Sequence, residues 1–326
     1  MFAIGIRTTI LLGLAAVAPL ALAQNVTVQG PVSGFIFHRA SQTIRPLMGI
    51  PGAAYVGAAV FTGIDFAVVA PNGKSAILRQ DGQLSWWRGL DTGSPTPLPV
   101  DPSVGSVDRV VWAPDSSTAL LYASSTRKLQ RVNVAGSQPL IDAAMELPGP
   151  FGASSALAVS PSGLIVIAFS GDSAGLYTVS ADMSLTPLVA MDDPRAIAFT
   201  HDGQGLFALD GKSMRVLEVD NIADGGVVFP FADLSSSGSQ YIDLAVSADG
   251  KYLYLAGTAS DSVRVFDTAS HTQTAEFDLD APPTSLRNLS DSLYLLDDDF
   301  TSGAPILLFQ ALPHPGLWFV PALQED

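Results

Sequence analysis

An all-β ring of repeated four-stranded units is the fold class this sequence predicts, and three observations predict it. First, a strand–turn–strand pattern recurs six times: DFAVVAPNGKSAIL (65–78), DRVVWAPDSSTALLY (108–122), SALAVSPSGLIVIAF (155–169), RAIAFTHDGQGLFAL (195–209), IDLAVSADGKYLYLA (242–256) and TSLRNLSDSLYLL (284–296). Aligned on the turn, the copies place Pro71, Pro114, Pro161, His201, Ala248 and Ser290 at one position, spaced by 43, 47, 40, 47 and 42 residues. Second, the copies continue into a third and a fourth strand, as in MRVLEVD (214–220) with VVFPFADL (227–234) and SVRVFDT (262–268) with TAEFDL (274–279). Third, no segment sustains a helical hydrophobic period. Four short strands every ~40–45 residues is the period of a β-propeller blade. One blade cannot bury both faces of its sheet, so blades stack around an axis and bury each other.

The N-terminus reads as an export signal. One basic residue, Arg7, precedes an apolar run from Ile10 to Ala23 that ends in an Ala-Leu-Ala exit at Ala21 and Ala23. This is the layout of a secretory signal peptide, residues 1–23, cleaved before Gln24. Ile4 to Ala23 is nearly long enough for a retained anchor, but the small-residue exit favours cleavage. The expectation is a bacterial protein that is secreted or periplasmic, with a single propeller domain at 24–326 and no membrane span once the signal is removed.

The segment GFIFHRASQTIRPLMG (34–49) aligns Phe37-His-Arg-Ala-Ser with Phe266-Asp-Thr-Ala-Ser, and so reads as the second half of a blade. That suggests a short blade at residues 24–50 and a ring of seven; the mature 303 residues also divide into about seven periods. The alternative is six blades plus an N-terminal hairpin. At the other end, ILLFQ (306–310) and LWFVP (317–321) complete the last repeat. Asn, Asp and Gly at the turns are expected to supply positive φ angles. The innermost strands, nearly continuous in apolar residues, are expected to be covered on both faces.

Composition narrows the function. Apolar residues make up 48% of the chain and charged residues 14%, so a large core is available. With 16 Lys+Arg against 31 Asp+Glu the net charge is −15, which disfavours a phosphate backbone as partner and gives no polybasic attraction to anionic lipid. The absence of cysteine excludes disulfides, thiolate nucleophiles and cysteine-held metals.

The fifth copy carries a family resemblance. AVSADGKYLYLAGTASDSVRVFDTAS (245–270) resembles the repeat of YVTN-type propellers: an Asp-Gly turn, a basic residue, a Tyr-rich strand, a Ser-rich loop and a Val-x-Val-Phe-Asp-Thr strand. HDGQGLFALDGKSMRVLEVD (201–220) is similar in outline. The resemblance implies an exported bacterial propeller of the uncharacterised kind. Its kin include surface-layer proteins, NHL-type binding modules and sugar-acid lactonases, and fold alone does not choose among them.

Four chemical signals read as structure. Gly171-Asp-Ser173-Ala-Gly175 fits G-x-S-x-G, but a nucleophile elbow needs a helix after it, and LYTVSADMSL reads as a strand. His38, His201, His271 and His314 stand alone, without ligand spacing. Asp297-Asp298-Asp299 and Asp220-Asn-Ile-Ala-Asp224-Gly lack the full pattern of a calcium loop. Trp86 and Trp87 point to opposite sides of their strand, and core packing is the expectation for them. No catalytic residue, metal ligand or cofactor is therefore assigned, with calcium as the alternative to none.

Propeller geometry supplies a candidate binding face. Six residues before the turn stand Asp65, Asp108, Ser155, Arg195, Ile242 and Thr284, with Asp243 adjacent. Strand starts share a face with the loops between the second and third strands, which carry Asp81, Arg127, Asp172, Asp210, Asp261 and Asp297–Asp299. Asp65, Asp108, Arg195, Asp243 and Thr284 are the candidate binding residues at this channel mouth. The leading expectation is a monomeric, non-enzymatic propeller that binds a protein, peptide or glycan there. The alternatives are a cation-dependent lactonase-like hydrolase, using Asp65, Asp108 and Asp243, and a structural envelope protein.

Overall fold

The computed structural model describes residues 30–149, 151, 154–180, 184–238, 240–290, 292–297, 304–311 and 314–322. The segment assigned to the signal peptide lies outside them. The described residues form a seven-bladed β-propeller, one sheet to a blade. The inner strands are Val32–His38, Ile64–Val69, Arg109–Trp112, Ser154–Val159, Pro194–Phe199, Tyr241–Val246 and Arg287–Ser290. Each pairs antiparallel with the strand that follows it, and the sheets continue outward in chain order. No described helix is long and apolar enough to cross a membrane.

Blade 1 corrects the sequence reading. Its first two strands, Val32–His38 and Thr43–Met48, are the inner half of a blade and not the outer half. The blade runs on to two short outer pieces, Tyr55–Val56 and Phe61–Thr62, both paired with Thr43–Met48. It therefore extends past residue 50, and the six-blade alternative falls away.

The aligned turns share one geometry. In blades 2 to 6 the third turn residue donates its N–H back to the end of the inner strand at 2.9 Å: Gly73 to Ala70, Ser116 to Ala113, Gly163 to Ser160, Gly203 to Thr200 and Gly250 to Ser247. That residue takes the positive φ, from 63° to 84°, which is why glycine holds four of the five places. Asn and Asp at the second place do other work than expected. Asn72, Asp115, Asp202 and Asp249 each accept the N–H two residues on, at 2.8 to 3.2 Å.

The core is a ring of seven apolar clusters, one at each seam between neighbouring blades. The strands most completely covered are the second ones: every residue of Thr118–Ala123, Ile165–Phe169 and Gly205–Asp210 is buried. The inner strands have the channel along their free edge and are only part-covered, as in Ile64–Val69, where Asp65 is exposed and Phe66 and Val68 are half-buried. Among the described residues no strand from the C-terminal end joins the sheet of blade 1. The ring closes by packing Ile36 and Leu47 against Leu289, Leu293, Leu295 and Leu308.

Candidate functional site

Antiparallel pairing brings each inner-strand start beside the loop between the second and third strands of its own blade, and side-chain contacts follow. Asp108 Oδ2 accepts from the backbone N–H of Ser124 at 2.9 Å and from its hydroxyl. Thr284 Oγ1 donates to Asp297 Oδ1 at 3.0 Å. Asp243 reaches across a seam, accepting the Leu286 N–H of blade 7 at 2.9 Å while its other oxygen accepts from Leu244. Arg195 Nε donates to Asp193 Oδ2 at 2.9 Å and Nη1 to the Tyr241 carbonyl of blade 6 at 3.3 Å. Asp65 is exposed in the second position of its strand.

The loops on this face add Asp81, Asp172 and Asp261, of which the first two are exposed. Asp81 and Asp261 hold φ of 50° and 42°, a backbone that short polar side chains tolerate. Asp210 differs from its neighbours in being 2% exposed. Burial opposes its charge, but hydrogen bonds from Ser213 and from the Asp192 and Asp193 amides outweigh burial and hold the carboxyl below its usual range. Asp298 and Asp299 lie outside the described residues. Among the described residues no three His, Asp or Glu side chains form a group that could hold a metal ion, so Asp65, Asp108 and Asp243 do not build one together.

The motifs set aside on sequence settle into structural places. Gly171–Ser173 is a single 3-10 turn leading into the strand Gly175–Val179, with no helix after it. Trp86 is buried in the seam between blades 2 and 3. Trp87 packs the other way, edge-on to Phe61 of blade 1 at 4.4 Å. His38 is buried, its ring nitrogen 2.6 Å from the Ser41 hydroxyl. His271 meets Glu218 of blade 5 at 3.2 Å.

The opposite end of the channel was not singled out from the sequence. A cavity of about 170 Å³ lies there, walled by Val111, Trp112, Leu157, Ile197, Leu244 and Val246. Four of the aligned turn positions, Pro71, Pro114, His201 and Ala248, border it. A second cavity of about 70 Å³, between blades 7, 1 and 2, is lined by Phe35, Phe37, Phe66 and two arginines, Arg39 and Arg287. Asn288 lines both cavities, and its Oδ1 is buried without a hydrogen-bond partner. A signal for these residues was present in the repeat. Three residues before the turn the copies carry Val68, Val111, Ala158, Ala198 and Ala245, but Arg287 in blade 7. At the next position they carry Val69, Trp112, Val159, Phe199 and Val246, but Asn288.

No family model matches the chain, and no curated protein matches it. Solved structures do. A protein of unknown function from Desulfotomaculum acetoxidans superposes with a TM-score of 0.60 at 15% identity, over 89% of this chain and 99% of that one. Virginiamycin B lyase from Staphylococcus aureus gives 0.54 at 15% identity, over 81% and 85%. The β-propeller domain of Cps50 (Swd1) from Myceliophteria thermophila gives 0.54 at 13% identity, over 81% and 88%. At such identities the likeness extends to the fold and no further: this chain is similar to β-propellers of unrelated activities.

Proposed function

We propose that the chain is an exported, monomeric, non-enzymatic propeller that binds a protein, peptide or glycan partner through the acidic face at its strand starts. The observation that carries this reading is the sharing of one face by exposed Asp65, Asp81, Asp108 and Asp172. Such a surface steers a basic partner into contact and selects its orientation. The bonds from Asp108, Asp243, Arg195 and Thr284 to neighbouring loops hold these side chains in place, which lowers the ordering cost of binding. Export through residues 1–23 and kinship with YVTN/NHL-type repeats belong to the same reading; the leader layout and the blade 6 sequence support them. No cofactor is required for this role.

The test pairs binding with turnover. A Lys-rich hexapeptide and a chito-oligosaccharide are titrated into the protein and into a variant carrying Asp65→Lys and Asp81→Lys. The reading expects saturable binding of at least one probe that weakens as salt rises and falls about tenfold or more in the variant. Equal binding by both proteins contradicts it. Hydrolysis of a sugar-acid lactone that calcium activates and EDTA abolishes replaces it with the hydrolase alternative.

A further inference from the structure

We propose that the turn end of the channel is a binding site for a small organic carboxylate with an apolar body. The strongest support is the break in the repeat. At two consecutive inner-strand positions where the other aligned copies carry only apolar residues, blade 7 carries Arg287 and Asn288. Arg287 lines the smaller channel cavity, and Asn288 lines both. An amide whose buried oxygen has no hydrogen-bond partner costs stability beside a seam that Leu289, Leu293 and Leu295 already fill. A local rule broken at a cost, in one copy of a repeat and beside a cavity, marks a site for something the protein must hold.

The chemistry of the two cavities identifies the ligand class. Among the described residues the smaller one is lined by two arginines and by no Asp or Glu, in a chain with nearly twice as many acids as bases. Guanidinium groups recognise carboxylates through paired N–H donors. Asn288 stands between the cavities and offers amide donors and an acceptor beside the anion. The larger cavity is walled mostly by aliphatic side chains with Trp112 and Phe199, and its polar lining residues include His201, Ser247 and Asn288. Its about 170 Å³ suits a body of six to eight carbons, since an engineered apolar cavity of roughly 150 Å³ holds benzene. A fully hydrated anion such as phosphate leaves that apolar space unfilled, so two cavities that meet at Asn288 select an amphipathic acid.

The test is calorimetric titration of the protein at constant ionic strength with octanoate, octanamide and inorganic phosphate. Octanoate is expected to bind at one site, with octanamide weaker by about tenfold or more and phosphate not detectable. Arg39→Gln, in an exposed turn, is expected to weaken octanoate by about tenfold while leaving octanamide and the thermal midpoint unchanged. Arg287→Gln is expected to do the same; if it fails to fold, Arg39→Gln carries the test. Ala198→Leu, which fills the larger cavity, is expected to weaken both organic probes. Equal affinity for octanoate and octanamide, binding of phosphate as tight as octanoate, no saturable binding, or an unchanged Arg39→Gln variant each overturn the proposal. The strand-start variants Asp65→Lys and Asp81→Lys leave octanoate binding unchanged, so this site and the acidic face succeed or fail separately.

Discussion

The two ends of the channel are built on opposite principles. At the strand starts, polar side chains lie in the open and several are tied to neighbouring loops: Asp108 to Ser124, Thr284 to Asp297, Asp243 to the Leu286 amide. At the turn end, the polar side chains are few, the walls are apolar, and a buried oxygen of Asn288 has no partner. An open surface with ordered charges suits a large partner that contacts many of them. A small cavity bordered by two guanidinium groups suits a small anionic ligand. The same ring thus presents two chemically different surfaces at its two ends, because each inner strand carries one end of its sequence to each face.

Variants separate the two ends by what they cost, and the largest cost is expected at the strand-start end. Asp210→Ala leaves the amides of Asp192, Asp193, Lys212 and Ser213 without their acceptor, and a loss of about 3 kcal/mol in urea unfolding at pH 7 is expected. Its folded pKa lies below the ordinary aspartate value, so this stability is present above that value and is lost as pH falls through the folded one. The gap between wild type and Asp210→Ala should therefore be full at pH 6 and close on acidification below about pH 4.

Asp243→Ala comes next, at about 2 kcal/mol, because the Leu286 amide at the start of blade 7 loses its acceptor. Asp243→Asn, which keeps an acceptor oxygen, should recover most of that in the same unfolding measurement. At the turn end the sign changes. Asn288→Val restores the residue type of the other copies and removes an unpaired buried oxygen, so stability should hold or rise by up to about 1 kcal/mol while octanoate binding weakens. A destabilised Asn288→Val would show that the amide is structural and would erase the contrast between the ends. Smallest of all, Asp65→Lys at an exposed strand start should shift stability by less than about 0.5 kcal/mol and act only on partner binding.

How much of this was legible in the sequence differs between blades. Blades 2 to 7 were readable because each carries the turn motif between two apolar runs. Blade 1 lacks that motif. Its turn is His38 to Thr43, held by the His38–Ser41–Thr43 side-chain chain, with Gln42 rather than glycine at a φ of 52°. Its outer strand is split in two, so no alternating run marks it. Resemblance to the outer half of blade 6 then assigned it to the wrong half of a sheet. Arg39 was missed for that reason, since a residue in an unaligned blade has no repeat position to depart from. Arg287 and Asn288 were visible as departures in an aligned blade, but composition alone does not say that their positions face the channel. The acidic face was legible because strand starts and loops share a face in any antiparallel blade.

The separation of the two ends can be read in one measurement, hydrogen exchange of the protein alone, with octanoate, and with a Lys-rich hexapeptide at low salt. Octanoate should slow exchange in the inner-strand segments around Val111–Trp112, Leu157–Val159 and Arg287–Leu289. The peptide should slow exchange around Asp65, Asp108 and Asp243, and that protection should vanish in high salt. Two disjoint footprints are the predicted result. A single shared footprint, or none for either probe, would contradict a ring with distinct binding chemistry at its two faces.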